Sequence, residues 1–151
     1  MVENNPDNQS DQMPNTQVNA NLAVQVKDDN EKFIRDVAVT INNELHFTNK
    51  RGYYKSGTLP LEETGSLVSF VKDGYFPNSK FVKPQEGSTE LINTQLVTKR
   101  LVGEINTENI EEICTDDQFV IDFKESQFVN EEGVPYEGTV KVYSKWINPS
   151  N

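Results

Sequence analysis

Residues 21–42 read "NLAVQVKDDNEKFIRDVAVTIN". Two runs in this stretch alternate apolar with polar side chains. Leu22, Val24 and Val26 share one face of the first, and Val37, Val39 and Ile41 share one face of the second. A period of two over several residues is the mark of a half-buried β-strand. Between the runs, Asp28-Asp29-Asn30-Glu31 forms a polar turn, and Asn42-Asn43 supplies the next one. The same rhythm continues downstream. "ELHF" (44–47) is a short strand, and "TNKRG" (48–52) turns the chain into "YYKSGTLPL" (53–61). After the loop "EETG" (62–65) come the strands "SLVSFVKDGY" (66–75), "SKFVKP" (79–84) and "ELINTQLV" (90–97). About seven short strands separated by turn signals predict an all-β, immunoglobulin-like β-sandwich. Gly52 and Gly74 stand where a reversing chain needs a positive φ, which only glycine adopts without strain. Tyr53 and Tyr54 then point to opposite faces, one of them towards the core.

The flanks read differently. Residues 1–20, "MVENNPDNQSDQMPNTQVNA", are rich in Asn, Gln, Asp and Pro and read as a disordered polar tail. Residues 21–97 form the sandwich domain. Residues 98–151 restart with "RLVGEIN" (100–106), "DQFVIDF" (117–123) and "GTVKVYSKW" (138–146), a second β segment joined by the turn Asn130-Glu131-Glu132-Gly133. Three or four strands are marginal alone. The segment is therefore expected to pack on the sandwich or to open a larger, truncated domain. Helical signal is confined to "TENIEEI" (107–113), one or two turns at most.

Composition narrows the classes. With 24 acidic and 14 basic residues the net charge is −10. Such a chain repels phosphate backbones and anionic bilayers, so nucleic-acid binding is not expected. No apolar run is long enough to span a membrane, so membrane insertion is not expected either. The N-terminus lacks a basic start and an apolar stretch, so a signal for export would lie outside this chain. Cys114 is the sole cysteine, which rules out an internal disulfide and a multi-cysteine metal site.

Particular residues carry a family resemblance. Ala38-Val39, then Thr48, Gly52 and Tyr54, then Val71-Lys72-Asp73-Gly74-Tyr75 follow the order of the carboxypeptidase regulatory-like domain, a small transthyretin-like β-sandwich. Asn49 stands where that family has an aspartate, and Ala23 stands near the place of its opening glycine. The match covers about half the chain. Downstream, Phe128, Val129, Gly133, Pro135, Tyr136, Gly138, Thr139 and Val140, closed by Asn148-Pro149, resemble a segment that follows such modules in surface proteins of Bacteroidetes-type bacteria. These resemblances imply an exported or cell-surface bacterial protein, placed outside the cell or in the periplasm. Its non-enzymatic module would space or present neighbouring domains or bind a protein partner.

Candidate chemistry is sparse. His46 is the only histidine, and no serine sits in a nucleophile-elbow setting, so no catalytic residue and no enzyme activity are expected. Cys114 lies beside Asp116 and Asp117, which disfavour a thiolate, and it reads as a buried small hydrophobe. The turn Asp28, Asp29, Asn30, Glu31 is a candidate calcium site by its oxygen content, although it lacks the spacing of a dedicated calcium loop. Calcium is thus the only cofactor with any sequence support. Tyr53, Tyr75, Phe76, Tyr143 and Trp146 could contact a ligand, either a protein or a polysaccharide. The alternative to a protein-binding module is therefore a carbohydrate- or calcium-dependent ligand-binding module at the cell surface.

Overall fold

The computed structural model describes residues 16–109, 112–115, 119–123 and 128–147. These residues form two compact units. The first runs to Asp73 and resumes over Pro77–Leu96; the second takes Gly74–Phe76 and the chain from Val97 onward. All regular structure among the described residues is β.

The first unit is a sandwich of two sheets. Its central strand is β1 (Gln17–Asp28), which begins inside the stretch that composition assigns to a tail. Residues 17–20 are strand because Gln17 to Ala20 pair with Glu62 to Leu59, and Ala20 is fully buried. Partners from elsewhere in the chain thus supply what these polar residues cannot supply locally. Residues 1–15 of the expected tail lie outside the described residues. Strand β1 pairs antiparallel with β4 (Tyr53–Lys55) and β5 (Leu59–Glu62), and parallel with β8 (Thr89–Leu96). The run 53–61, expected as one strand, is interrupted by a bulge: Ala23 pairs with Lys55 but Ala20 with Leu59, so β4–β5 has one residue more. Ser56 fills the gap. Its Oγ accepts the Leu22 N–H at 2.7 Å, and its own N–H donates to the Leu22 carbonyl at 2.9 Å. A side-chain oxygen therefore completes the ladder where the backbone is out of step.

The second sheet is antiparallel, ordered β3 (Glu44–Phe47), β2 (Ala38–Ile41), β6 (Ser66–Val71), β7 (Asn78–Val82). Strands β2 and β3 form a hairpin through Asn42 and Asn43, both at positive φ (49° and 65°). A two-residue loop with both residues left-handed matches the twist of its strands, and asparagine tolerates that conformation. The core lies between the sheets. Leu22, Val24 and Val26 of β1, Leu61 of β5 and Leu96 of β8 are fully buried, as are Val39 of β2 and Val68 and Phe70 of β6. The alternation in 21–42 thus sorts core from surface as expected.

The turn at 48–52 fastens these parts together. Thr48 is buried; its Oγ1 accepts the Val37 N–H at 3.0 Å and donates to the Ile34 carbonyl at 2.9 Å. Gly52 has φ +65°, and its carbonyl accepts the Val26 N–H at 2.8 Å. A Cβ on residue 52 would lie 2.3 Å from the Val26 carbonyl oxygen.

The second unit pairs β9 (Arg100–Asn106) with β12 (Thr139–Ser144), antiparallel with a bulge at Val142/Tyr143. A short hairpin, β10 (Ile113–Cys114) with β11 (Val120–Ile121), accompanies them. Ile113 packs directly on Gly103, and Ile105 and Ile113 are the buried apolar side chains of this unit among the described residues. The sequence expectation of a strand over 117–123 holds only for Val120–Ile121; residues 116–118 lie outside the described residues. Helix is absent from the described part of 107–113, where Asn106 and Asn109 close a turn.

Gly52→Ala is expected to lower the unfolding free energy by about 2–4 kcal/mol in urea titration, combining left-handed strain with the clash at Val26. Gly57→Ala is the control, with open space around its Cβ and no positive φ. Equal effects for the two variants would contradict the assigned role of Gly52.

Candidate functional site

The acidic turn resolves into a structural device. Asp28 is buried, and its Oδ1 accepts the N–H groups of Asn30 at 2.8 Å and Lys32 at 2.9 Å. Its backbone carbonyl accepts the Glu31 N–H, and its N–H donates to the Lys32 carbonyl. Asn49 makes the same four bonds, with Arg51, Tyr53 and Gly52, and so does Asn130, with Glu132, Val134 and Gly133. The fourth residue has a positive φ each time: Glu31 61°, Gly52 65°, Gly133 77°. All three are type I turns closed by a left-handed residue, stabilised by an Asx side chain. The Glu31 carboxylate pairs with Lys27 Nζ at 2.8 Å. Asp28 Oδ1 is thus engaged by the backbone of the turn, while the Glu31 side chain, paired with Lys27, stays largely exposed. No cluster of three or more His, Cys, Asp or Glu side chains suited to a metal ion exists among the described residues. Asparagine serves at position 49 as aspartate does at 28, because only an acceptor oxygen is needed there.

The aromatic candidates fall in separate places. Tyr53 lies on β4 in the first unit, partly exposed. In the second unit, Tyr75 bridges to Thr98. Lys99 Nζ lies 5.9 Å from the rings of both Phe76 and Tyr143, a cation held between two aromatic faces. Trp146 stacks on Phe119 at 4.7 Å, both rings exposed. The five side chains singled out from sequence therefore fall in four separate places, and only Phe76 and Tyr143 share a partner, Lys99.

Tyr54 is the inward member of its pair. It stacks on His46 at 4.8 Å, ring planes 20° apart, so one ring from each sheet closes this side of the core. His46 Nε2 is buried, 3.8 Å from Glu44 Oε2, with no hydrogen-bond partner among the described residues. Burial, and then the Glu44 carboxylate, raise the Tyr54 phenol above its ordinary value. Ser56 and Ser66 have structural bonds, to the N–H groups of Leu22 and Glu62. Cys114 is exposed rather than buried, because Ile113 takes the inward position of β10 against Gly103.

Two surfaces escaped the sequence reading. One is the outward face of β3-β2-β6-β7. Leu45, Phe47, Leu67, Val71 and Phe81 all project there, each more than half exposed. In sequence each of them alternates with a core or polar residue, so it reads as an ordinary strand position. The other is a polar groove along β1 and β8 of the opposite sheet, lined by Gln25, Lys27, Glu31, Asn93, Thr94 and Gln95, with Lys80 reaching it from β7. Its residues come from three separate parts of the chain, and only the pairing of β1 with β8 brings them together.

No family model matches the chain, and no curated protein matches it. Among solved structures, it is similar to the Bacillus anthracis TIE protein at 14% identity and TM-score 0.46, over 84% of this chain and 26% of that one. It is also similar to a putative membrane-associated protein of unknown function from Bacteroides fragilis, at 13% identity and TM-score 0.40, over 61% of this chain and 34% of that one. The chain thus spans between a quarter and about a third of the length of these bacterial proteins. No helix among the described residues is long and apolar enough to cross a membrane.

Two measurements follow. Glu31→Gly is expected to raise stability by about 0.5–1 kcal/mol, since relief of left-handed strain exceeds the loss of an exposed ion pair; a clear loss in urea titration would refute the shared turn geometry. In an ultraviolet phenolate titration, Tyr54 should ionise later than an exposed tyrosine. The folded state favours the neutral phenol, so this stabilisation is complete below about pH 10 and is lost as pH rises through the raised value. Tyr54→Phe should remove the late-ionising component, and Glu44→Gln should bring it earlier.

Proposed function

We propose that this protein is a non-enzymatic interaction module of an exported bacterial surface protein, which holds a protein partner or neighbouring domain against one face of its sandwich. The observation that carries the reading is the outward face of β3-β2-β6-β7. Five large apolar side chains from three of its four strands stand in solvent there: Leu45 and Phe47 of β3, Leu67 and Val71 of β6, and Phe81 of β7. Isolated exposed apolar residues are ordinary, but a concentration of them on one regular surface marks an interaction site. Small side chains lie between the apolar positions: Ala38 and the hydroxyls of Thr40 and Ser69 at the centre, and Ser79 on the edge strand. That arrangement suits a partner offering apolar groups around the margin and hydrogen bonds in the middle.

The structural partners of the histidine and the buried serines support the non-enzymatic reading. His46 serves the core through Tyr54, and the buried serines complete backbone ladders. The resemblance to carboxypeptidase regulatory-like domains supports export and a spacing or presenting role.

Photo-crosslinking in the producing cell tests the proposal. A photoreactive residue at position 47 or 67 is expected to give a discrete adduct with another protein domain, and one at Lys55, on the other sheet, is not. Phe47→Ser together with Leu67→Ser should abolish the adduct formed from position 45 without lowering the melting temperature by more than a few degrees. Adducts equally frequent at position 55, or none at 47 and 67, would overturn the reading.

A further inference from the structure

We propose that the outer face of β4-β1-β8, from Tyr53 across to the groove at Gln25, Asn93 and Gln95, binds a pyranose glycan, independently of the apolar face on the other sheet. The argument rests on register. Gln25 is directly opposite Tyr53 on one side and Asn93 on the other. Two residues further along β1, Lys27 is opposite Phe33 and Gln95. Side chains two apart on a strand share a face. The outer surface therefore carries a grid of two rows, Tyr53–Gln25–Asn93 and Phe33–Lys27–Gln95. One column is aromatic, one amide or amine, and one amide. By sheet geometry the grid measures about 10 Å across the strands and about 7 Å along them, the size of one or two sugar rings.

The chemistry of each column fits such a ligand. An exposed aromatic face covers the apolar C–H face of a pyranose; Tyr53 is accessible for this, while Lys27 Nζ lies over the Phe33 ring at 5.4 Å and leaves Phe33 its other face and edge. A primary amide both donates and accepts, as a sugar hydroxyl does. Two amides are held in place: Gln25 Nε2 donates to the Arg51 carbonyl at 2.6 Å, and Gln95 Nε2 to the Asp28 carbonyl at 3.0 Å. Their positions are therefore fixed before a ligand arrives, which lowers the entropy lost on binding. The Asn93 amide is exposed and has no partner among the described residues. Charge inside the grid is balanced, since Lys27 pairs with Glu31 at 2.8 Å. Lys80, reaching the groove from β7, adds a further donor at its rim. The large aliphatic side chain exposed beside these rows is Leu91, and a bare anion would find Glu31 in its way.

The test is an NMR titration of the full chain, labelled with ¹⁵N, against cello-, xylo-, manno-, chito- and galacturono-hexaose. At least one is expected to bind with a Kd of about 1 mM or tighter. Its shift changes should centre on residues 25, 27, 53, 93 and 95. Tyr53→Ala and, separately, Asn93→Ala should each weaken that binding at least tenfold, while Trp146→Ala leaves it unchanged. Asn93 is an exposed position, so its variant decides the matter if Tyr53→Ala loses the fold. No binding by any of the five sugars, shifts centred outside the groove, or affinity unchanged in the Asn93 variant would each overturn the proposal. Loss of the apolar-face crosslinks has no bearing on this outcome, because the two faces belong to different sheets.

Discussion

The carbonyl of Val26 accepts the Ile34 N–H at 3.2 Å, and the backbone of Gly52 closes over it from the other side. Much of the first unit depends on that close approach. Strand β1 carries the core residues Leu22, Val24 and Val26, and Gly52 brings β4 alongside it, with the Val26 N–H donating to the Gly52 carbonyl. Four residues earlier, Thr48 ties Ile34 and Val37 into the same region through its hydroxyl, at the start of β2. One five-residue turn therefore joins the two sheets. It needs a residue without a side chain at 52 and a small hydroxyl at 48, both for reasons of space and hydrogen bonding in a buried setting.

Repetition of a single turn geometry explains residues that otherwise invite a functional reading. Asp28, Asn49 and Asn130 perform the same task, and the acidity of the first turn is incidental to its structure. Glu31 carries the left-handed conformation that glycine carries in the other two, and its ion pair with Lys27 is some compensation. Local backbone demands account for the positions of these charges, leaving the flat outer surfaces of the two sheets as the places where side chains are not needed by the fold.

Those surfaces differ in kind. The sheet β3-β2-β6-β7 turns leucine, valine and phenylalanine outward, whereas β4-β1-β8 turns out mainly amides and lysines, with Tyr53 and Leu91. The sandwich separates them on opposite sides of one core, so each can be altered without touching the residues of the other.

The sequence by itself determined the β class, the core positions and the turns. Alternation in 21–42 assigns Val24 and Val39 to the interior, and Asn42-Asn43, Gly52 and Asn130–Gly133 act locally, through φ preferences and side-chain bonds that span at most a few residues. The same local reading took residues 17–20 for tail, Cys114 for core, and five aromatic residues for one kind of site. Only the tertiary structure decided these. Strand β8 meets β1 in parallel across some 67 residues of chain, and no periodicity encodes which strands become neighbours. That pairing sets Asn93 beside Gln25, and the order β3-β2-β6-β7 gathers Leu45, Phe47, Leu67, Val71 and Phe81 on one face. A strand specifies which of its faces is apolar, but what lies next to that face is fixed by packing against the rest of the chain.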